Sequence, residues 1–250
     1  MVNFAPIPVL AKPKVIDRYP RICESGDDVL LLESSERILT APQYFAQGYR
    51  HAEPCIRLRK SAISALHRAV TAIPPHYKLV IWDGLRSLDL QREIRDVAMR
   101  TLLKQRVTLT DAELNCYVSE IPSSRAQFEQ VPPPHCTGGA VDVSLAYVDG
   151  RPVDMGADFD VFNERAWLRF YESNYSMLHE GSTAIANEGN PQAARRILYH
   201  AMTRAGFAPY EYEYWHYEIG TVRAAQYSGS RAALYGAAVS WFQEGENYEA

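Results

Sequence analysis

The spacing of hydrophobic positions changes several times along the chain, and each change predicts an element. Over residues 56–73 apolar side chains stand at Ile56, Leu58, Ile63, Leu66, Val70 and Ile73. From Ile63 the spacing of three and four is that of a helix with one apolar face. Pro74 and Pro75 stop it, because proline has no N–H to continue the ladder. Residues 78–82 (KLVIW) predict a short buried strand, and residues 88–105 a second amphipathic helix. Residues 140–148 alternate: Val141, Val143 and Leu145 share one face, Ala140, Asp142 and Ser144 the other. Period two predicts a strand with a polar face. Residues 161–180 read as helical. Residues 190–206 read as a helix with Asn190 as N-cap, Pro191 at its first position and Gly206 past its end. The aromatic-rich stretch 210–219 suits a strand, whereas residues 220–250 show no clear pattern. The first residues are proline-rich and aperiodic, so residues 1–27 are taken as an extended arm lying on a domain that spans 28–250. Without repeats, linkers or a break in composition, a single α+β domain is the economical reading.

Composition narrows the function classes. The 250 residues are 47% hydrophobic and 22% charged, enough for a sizeable core. A net charge of −4 gives no basic excess for nucleic acid, so a small substrate or a protein partner is expected. Pro6, Pro8 and Pro13 interrupt the N-terminal apolar stretch, and the lysines follow it, so no secretory signal is read. No apolar run approaches the roughly 20 residues that span a membrane. A cytoplasmic protein is expected. Cys23, Cys55, Cys116 and Cys136 form no CxxC pair; they are expected to be mostly free thiols, several of them buried.

Two segments carry candidate chemistry. In His135-Cys136-Thr137-Gly138-Gly139-Ala140-Val141-Asp142 a histidine precedes two glycines and a strand with an aspartate on its polar face. The glycines permit a tight bend that can bring the imidazole beside the carboxylate, and both groups are good zinc ligands. The second segment is Glu213-Tyr214-Trp215-His216. A spacing of three puts Glu213 and His216 on opposite faces of a straight strand, so a shared site requires a bend between them. Catalytic zinc commonly keeps three protein ligands, and a nearby Glu can act as base. Singly, each residue has an ordinary alternative: a hydrogen-bonded histidine, a solvated aspartate, a satisfied core imidazole. Two His and a carboxylate also suit non-haem iron. His179-Glu180 begins like HExxH but lacks the second histidine, and neither a GxSxG elbow nor a P-loop is present.

In order and spacing the two segments resemble the zinc D-alanyl-D-alanine dipeptidases known from vancomycin resistance and related bacterial pathways. That family carries S-x-H-x-x-G-x-A-x-D and, further along, E-x-W-H. The segments WDGLRS at 82–87, MGADFD at 155–160, GFAP at 206–209 and RAALYG at 231–236 are also similar. The resemblance runs from about residue 28 to 237. It implies a hedgehog/D,D-peptidase-like catalytic domain, in which a small, mostly antiparallel sheet flanked by helices carries one zinc ion. It implies zinc held by His135, Asp142 and His216, with Glu213 as general base and later acid toward the leaving amine. It further implies Arg86 stabilising charge on the tetrahedral intermediate and Asp160 holding the substrate's amino group. An acidic anchor for an ammonium would explain a preference for dipeptides.

Three positions depart from the pattern. Pro133 replaces the serine two before the first histidine, Tyr214 stands where tryptophan is common, and Ser87 where proline is common. They leave the metal chemistry intact and the exact substrate open. Three functions therefore stand: a D,D-dipeptidase, a related D,D- or L,D-carboxypeptidase or endopeptidase acting on larger peptidoglycan peptides, and a zinc-stabilised binding module. Glu213 and Arg86 disfavour the last, since a structural site needs neither. Substrate stereochemistry and oligomeric state are not legible.

Overall fold

A central five-stranded sheet organises the chain. The computed structural model describes residues 3–10, 19–104, 110, 121–173 and 190–241. In chain order the elements are β1 (Arg21–Ile22), β2 (Val29–Leu32), β3 (Ile38–Thr40), α1 (Gln43–Ala46), β4 (Ile56–Arg59), α2 (Lys60–Val70), β5 (Tyr77–Asp83) and α3 (Leu88–Lys104). They continue with α4 (Arg125–Gln130), β6 (Ala140–Tyr147), α5 (Pro191–Arg204), β7 (Ala208–Pro209), β8 (His216–Glu218), α6 (Val222–Ser228) and β9 (Ala232–Ala233). The main sheet runs β3-β5-β6-β8-β7. Only the β3–β5 pair is parallel; the other three pairs are antiparallel. This is the mixed α+β architecture, with a small and mostly antiparallel sheet, expected from the sequence.

The core lies between the sheet and two helices. The inward faces of β5 and β6 supply Leu79, Ile81, Val141, Val143 and Leu145. Helix α2 meets them with Ala62, Ala65, Leu66 and Ala69, the spacing of one helical face. Helix α5 adds Ala194, Ile197, Leu198, Ala201 and Met202. Its punctuation follows the sequence: Asn190 caps it by accepting from the Ala193 N–H at 2.7 Å, and Pro191 sits in its first turn. Gly206 follows with φ +101°, the left-handed turn that ends the helix.

The structure differs from the sequence expectations in three places. Ile56 and Leu58 belong to β4, paired with β2, and the helix begins at Lys60; two residues of period two were too few to read. The strand expected over 210–219 is reduced to His216–Glu218. The Tyr214 N–H is drawn out of the sheet to the Ala166 carbonyl at 2.8 Å, which outweighs the strand propensity of the aromatics. Within 161–180 there is a 3-10 turn at Glu164–Ala166 and a helix begins at 170, while 174–180 lie outside the described residues, as does the 179–183 motif. Of the cysteines described, Cys23 is exposed, Cys55 half-buried and Cys136 buried, all of them free thiols; Cys116 lies outside. In the arm, Ile7 is buried and its N–H reaches Glu172, and β1 pairs with β9.

Two contacts fix the parts of the fold that carry the site. At Gly139 a Cβ would come within 2.4 Å of the Ile219 carbonyl and 2.7 Å of the Tyr235 ring, so only glycine lets the start of β6 approach the end of β8. Arg195 on α5 is almost wholly buried, and among the described residues no carboxylate pairs with it. It donates to the carbonyls of Met155, Trp167 and Arg165 at 2.6–2.8 Å and lies over the rings of Tyr171 and Tyr214. The loop 155–167 is thereby tied to the helix. Burial without an anion brings the Arg195 pKa down to about 10.

Gly139→Ala is expected to lower unfolding free energy by about 1–3 kcal/mol, the usual range for overpacking; an unchanged urea midpoint would contradict the close approach. Arg195→Lys keeps the charge but cannot reach three carbonyls. It is expected to cost about 2–4 kcal/mol and to raise hydrogen exchange in the 155–167 loop. Unaltered exchange there would show that the loop is held by something else.

Candidate metal centre

Strand register brings the first two groups together. Asp142 on β6 lies directly opposite His216, the first residue of β8. On its other side Asp142 faces Asp83, the last residue of β5. Strict alternation would have turned Asp83 toward the core with Ile81. A bulge between Ile81 and Asp83 inserts one residue and swings Asp83 to the Asp142 face. The third group, His135, comes from the 3-10 turn Pro134–Thr137 just before β6. Gly138, at φ +73°, closes that turn, as expected of the glycine pair.

The three side chains converge. His135 Nε2, His216 Nδ1 and Asp142 Oδ1 are separated by 3.1, 3.1 and 3.3 Å. Among the described residues they form the one group of three or more His, Cys, Asp and Glu side chains arranged to hold a metal ion. The donor set fits zinc. Bonds of about 2.0–2.2 Å in tetrahedral array space the donors by roughly 3.3 Å.

Outer partners fix each of the three side chains. His135 Nδ1 donates to the Gly84 carbonyl at 2.7 Å, leaving the Nε2 lone pair toward Asp142. Burial, helped by Arg86, lowers the His135 pKa and keeps the ring neutral. With Nδ1 of His216 facing the other donors, its Nε2–H donates to Glu218 at 2.9 Å. Glu218 in turn accepts from Thr221 Oγ1 and from Arg223. Burial would raise the Glu218 pKa, but Arg223 and the His216 and Thr221 hydrogen bonds bring it down to about 2. For His216 burial lowers the pKa, yet the bonds to Asp142 and Glu218 prevail and raise it to about 9. A carboxylate behind a metal-ligating imidazole is the usual way its orientation is held.

Arg86 follows β5 and is buried beneath the site. It donates from Nε to Asp83, from Nη1 to Gln91 at 3.2 Å, and from Nη2 to Asp142 Oδ2 at 2.6 Å and to the Tyr44 hydroxyl at 3.3 Å. Two adjacent buried carboxylates thus share one guanidinium. Burial pushes the Asp142 carboxyl up, but the Arg86 guanidinium and the hydrogen bond from His216 hold it well below the ordinary carboxylate range. Burial raises Asp83 despite Arg86.

Glu213 and Asp160 complete a narrow cleft lined also by Tyr44, Arg86, His135, Tyr210, His216 and Arg223. Glu213 sits in the turn before β8, with its carboxylate 3.7 Å from His216 Nδ1. That turn is the bend that their spacing of three requires. Burial raises the Glu213 pKa to about 8. Asp160 is the one non-glycine residue with positive φ, +57°, among the described residues. Burial raises its pKa to about 7 against the lowering effects of Tyr44 and Arg86.

Five of the six residues singled out in the sequence line this cleft, and the sixth, Asp142, lies behind it against His135, His216 and Arg86. The sequence reading missed Asp83, Tyr44, Gln91, Glu218 and Arg223. Only Glu218 left a signal, since two residues beyond a histidine on a strand is the same face. The others arrive through a bulge, a distant helix or a loop.

Comparison with known proteins points the same way. Residues 45–229 match the family described as D-ala-D-ala dipeptidase. A D-alanyl-D-alanine dipeptidase of Synechocystis sp. is 28% identical over 193 residues, covering 72% of this chain and 76% of the relative. One from Enterococcus faecalis is 27% identical over 163 residues, covering 64% and 71%. Among solved structures, a variant of the vancomycin-resistance D,D-pentapeptidase VanY in complex with Zn(II) aligns with a TM-score of 0.39 at 16% identity, over 84% of this chain and 90% of that one. With its match extending over most of its length, the chain belongs to the D-ala-D-ala dipeptidase family of peptidases.

Proposed function

We propose that the protein is a zinc-dependent D-alanyl-D-alanine dipeptidase that hydrolyses the dipeptide to two D-alanines. The observation that carries this reading is the triangle of His135, Asp142 and His216 donors with the buried Glu213 beside it. In this reading residues 28–250 form the catalytic domain, with residues 1–27 as an arm against it, and the enzyme serves a cytoplasmic pool of dipeptide.

His135, Asp142 and His216 hold the metal. When bound, zinc supplies Lewis acidity, polarising the scissile carbonyl and making water more acidic. Glu213 takes the proton of the attacking water and delivers it to the leaving amine. Its burial suits the work, because a base with a pKa near the working pH both accepts and returns a proton. Arg86 lies at the floor of the cleft and sets a positive field against charge growing on the carbonyl oxygen. Asp160, with Tyr44 beside it, receives the substrate ammonium.

Purified zinc-loaded protein is expected to release D-alanine from D-Ala-D-Ala and not from L-Ala-L-Ala. Glu213→Gln is expected to lower kcat by at least about 10²–10⁴-fold, the range of general acid–base catalysis, with zinc content unchanged. Full turnover by that variant would remove Glu213 from the mechanism, and release from longer D-Ala-D-Ala-terminated peptides alone would make the enzyme a carboxypeptidase.

Uptake of the metal is expected to depend on pH. His216, with its pKa raised to about 9, carries a proton at neutral pH that zinc must displace. Apparent zinc affinity is therefore expected to rise as pH increases from 6 to 8, by up to about tenfold per unit. Competition with a chelator of known affinity measures it, and a flat profile would count against His216 as a ligand.

A further inference from the structure

Arg223, the second residue of α6, lines the same cleft and enters the chemistry above only from behind, through the Glu218 that orients His216. Its Nε and Nη2 lie on the Glu218 carboxylate, and Nη2 is also 2.8 Å from His216 Nε2. Its guanidinium carbon stands 3.9 Å from the centre of the Tyr210 ring. Among the described residues Nη1 has no hydrogen-bond partner, and the side chain is 24% exposed. The other guanidinium in the cleft, Arg86, is only 8% exposed, and its three nitrogens are distributed over four side chains. One cationic donor is thus held rigidly with an edge left over.

A free dipeptide is a zwitterion whose two charges must both be met when it leaves water. The reading above gives its ammonium to Asp160. Glu213 lies within the fields of both Asp160 and Arg223, so the cleft has an acidic and a basic pole on the flanks of the proposed base. We infer that Arg223 receives the substrate's C-terminal carboxylate through Nη1 and so confines hydrolysis to peptides with a free C-terminus one residue beyond the scissile bond. Glu218 and Tyr210 hold the guanidinium in place before substrate arrives, which reduces the ordering cost of binding. The inference rests on the dipeptidase reading.

The test compares D-Ala-D-Ala with its C-terminal amide on zinc-loaded wild type, Arg223→Gln and Arg223→Lys, with metal content measured for each. Wild type is expected to favour the free acid by roughly 10–100-fold in kcat/KM, the worth of one charge-assisted hydrogen bond. Arg223→Gln, which also loosens Glu218 behind His216, is expected to slow both substrates but to bring that ratio near one, because KM rises for the acid and not for the amide, and Arg223→Lys is expected to restore part of the ratio. A purely structural role would depress both substrates equally and preserve the ratio, which would overturn the inference. Should the Gln variant lose zinc or fail to fold, the wild-type ratio and the Lys variant decide. Equal cleavage of acid and amide by wild type refutes the role of Arg223 and leaves the dipeptidase reading standing. Cleavage of neither removes both.

Discussion

The site depends on the pairing of β5, β6 and β8, which sets Asp83, Asp142 and His216 in one row across the sheet. Side chains alternate along a strand, so a slip of one residue in β6 would turn Asp142 into the core and Val141 or Val143 toward the cleft. The hydrophobic face of β6 prevents that slip, because Val141, Val143 and Leu145 are all buried among α2 and α5 residues. The same apolar packing that stabilises the domain therefore positions its chemistry.

Placing two carboxylates side by side out of water is costly unless charge is returned to them. Arg86 does this by bridging Asp83 and Asp142, and the imidazoles of His135 and His216 lie against Asp142 Oδ1. The arrangement leaves each ligating atom with one orientation. The Gly84 carbonyl holds His135 from behind, Glu218 holds His216, and Arg86 holds the second oxygen of Asp142. Outer contacts that fix donor side chains in this way generally raise the affinity of a site for a metal ion.

The cleft above combines groups whose environments differ sharply. Glu218, answered by Arg223, stays ionised far below neutral pH, whereas Glu213 and Asp160, buried with weaker compensation, are raised to about 8 and about 7. Carboxylates held apart in this way can divide the labour of structure and proton transfer. The loop bearing Asp160 belongs to the same framework, since the guanidinium of Arg195 ties its carbonyls to α5.

Much of this was legible in the sequence. The alternation of 140–148 located β6 and its polar Asp142, the punctuation of 190–206 located α5, and the glycines after His135 announced the turn that delivers it. The order and spacing of the two motifs singled out His135, Asp142, Glu213 and His216, and the flanking segments 82–87 and 155–160 added Arg86 and Asp160. What the chain could not reveal by itself is whatever depends on partners remote in sequence. The bulge that re-aims Asp83 is invisible to periodicity, because it exists only relative to the facing strand. The aromatic run 210–219 carries strand propensity throughout, yet a hydrogen bond from Tyr214 to Ala166 converts its first half into the turn that places Glu213 beside His216. Arg223 and Tyr44 belong to no motif in the sequence and reach the cleft only through α6 and α1. Local pattern reports the backbone period and the types of group available; which groups share one buried volume, and hence which charges must compensate each other, is decided only when the sheet closes around them.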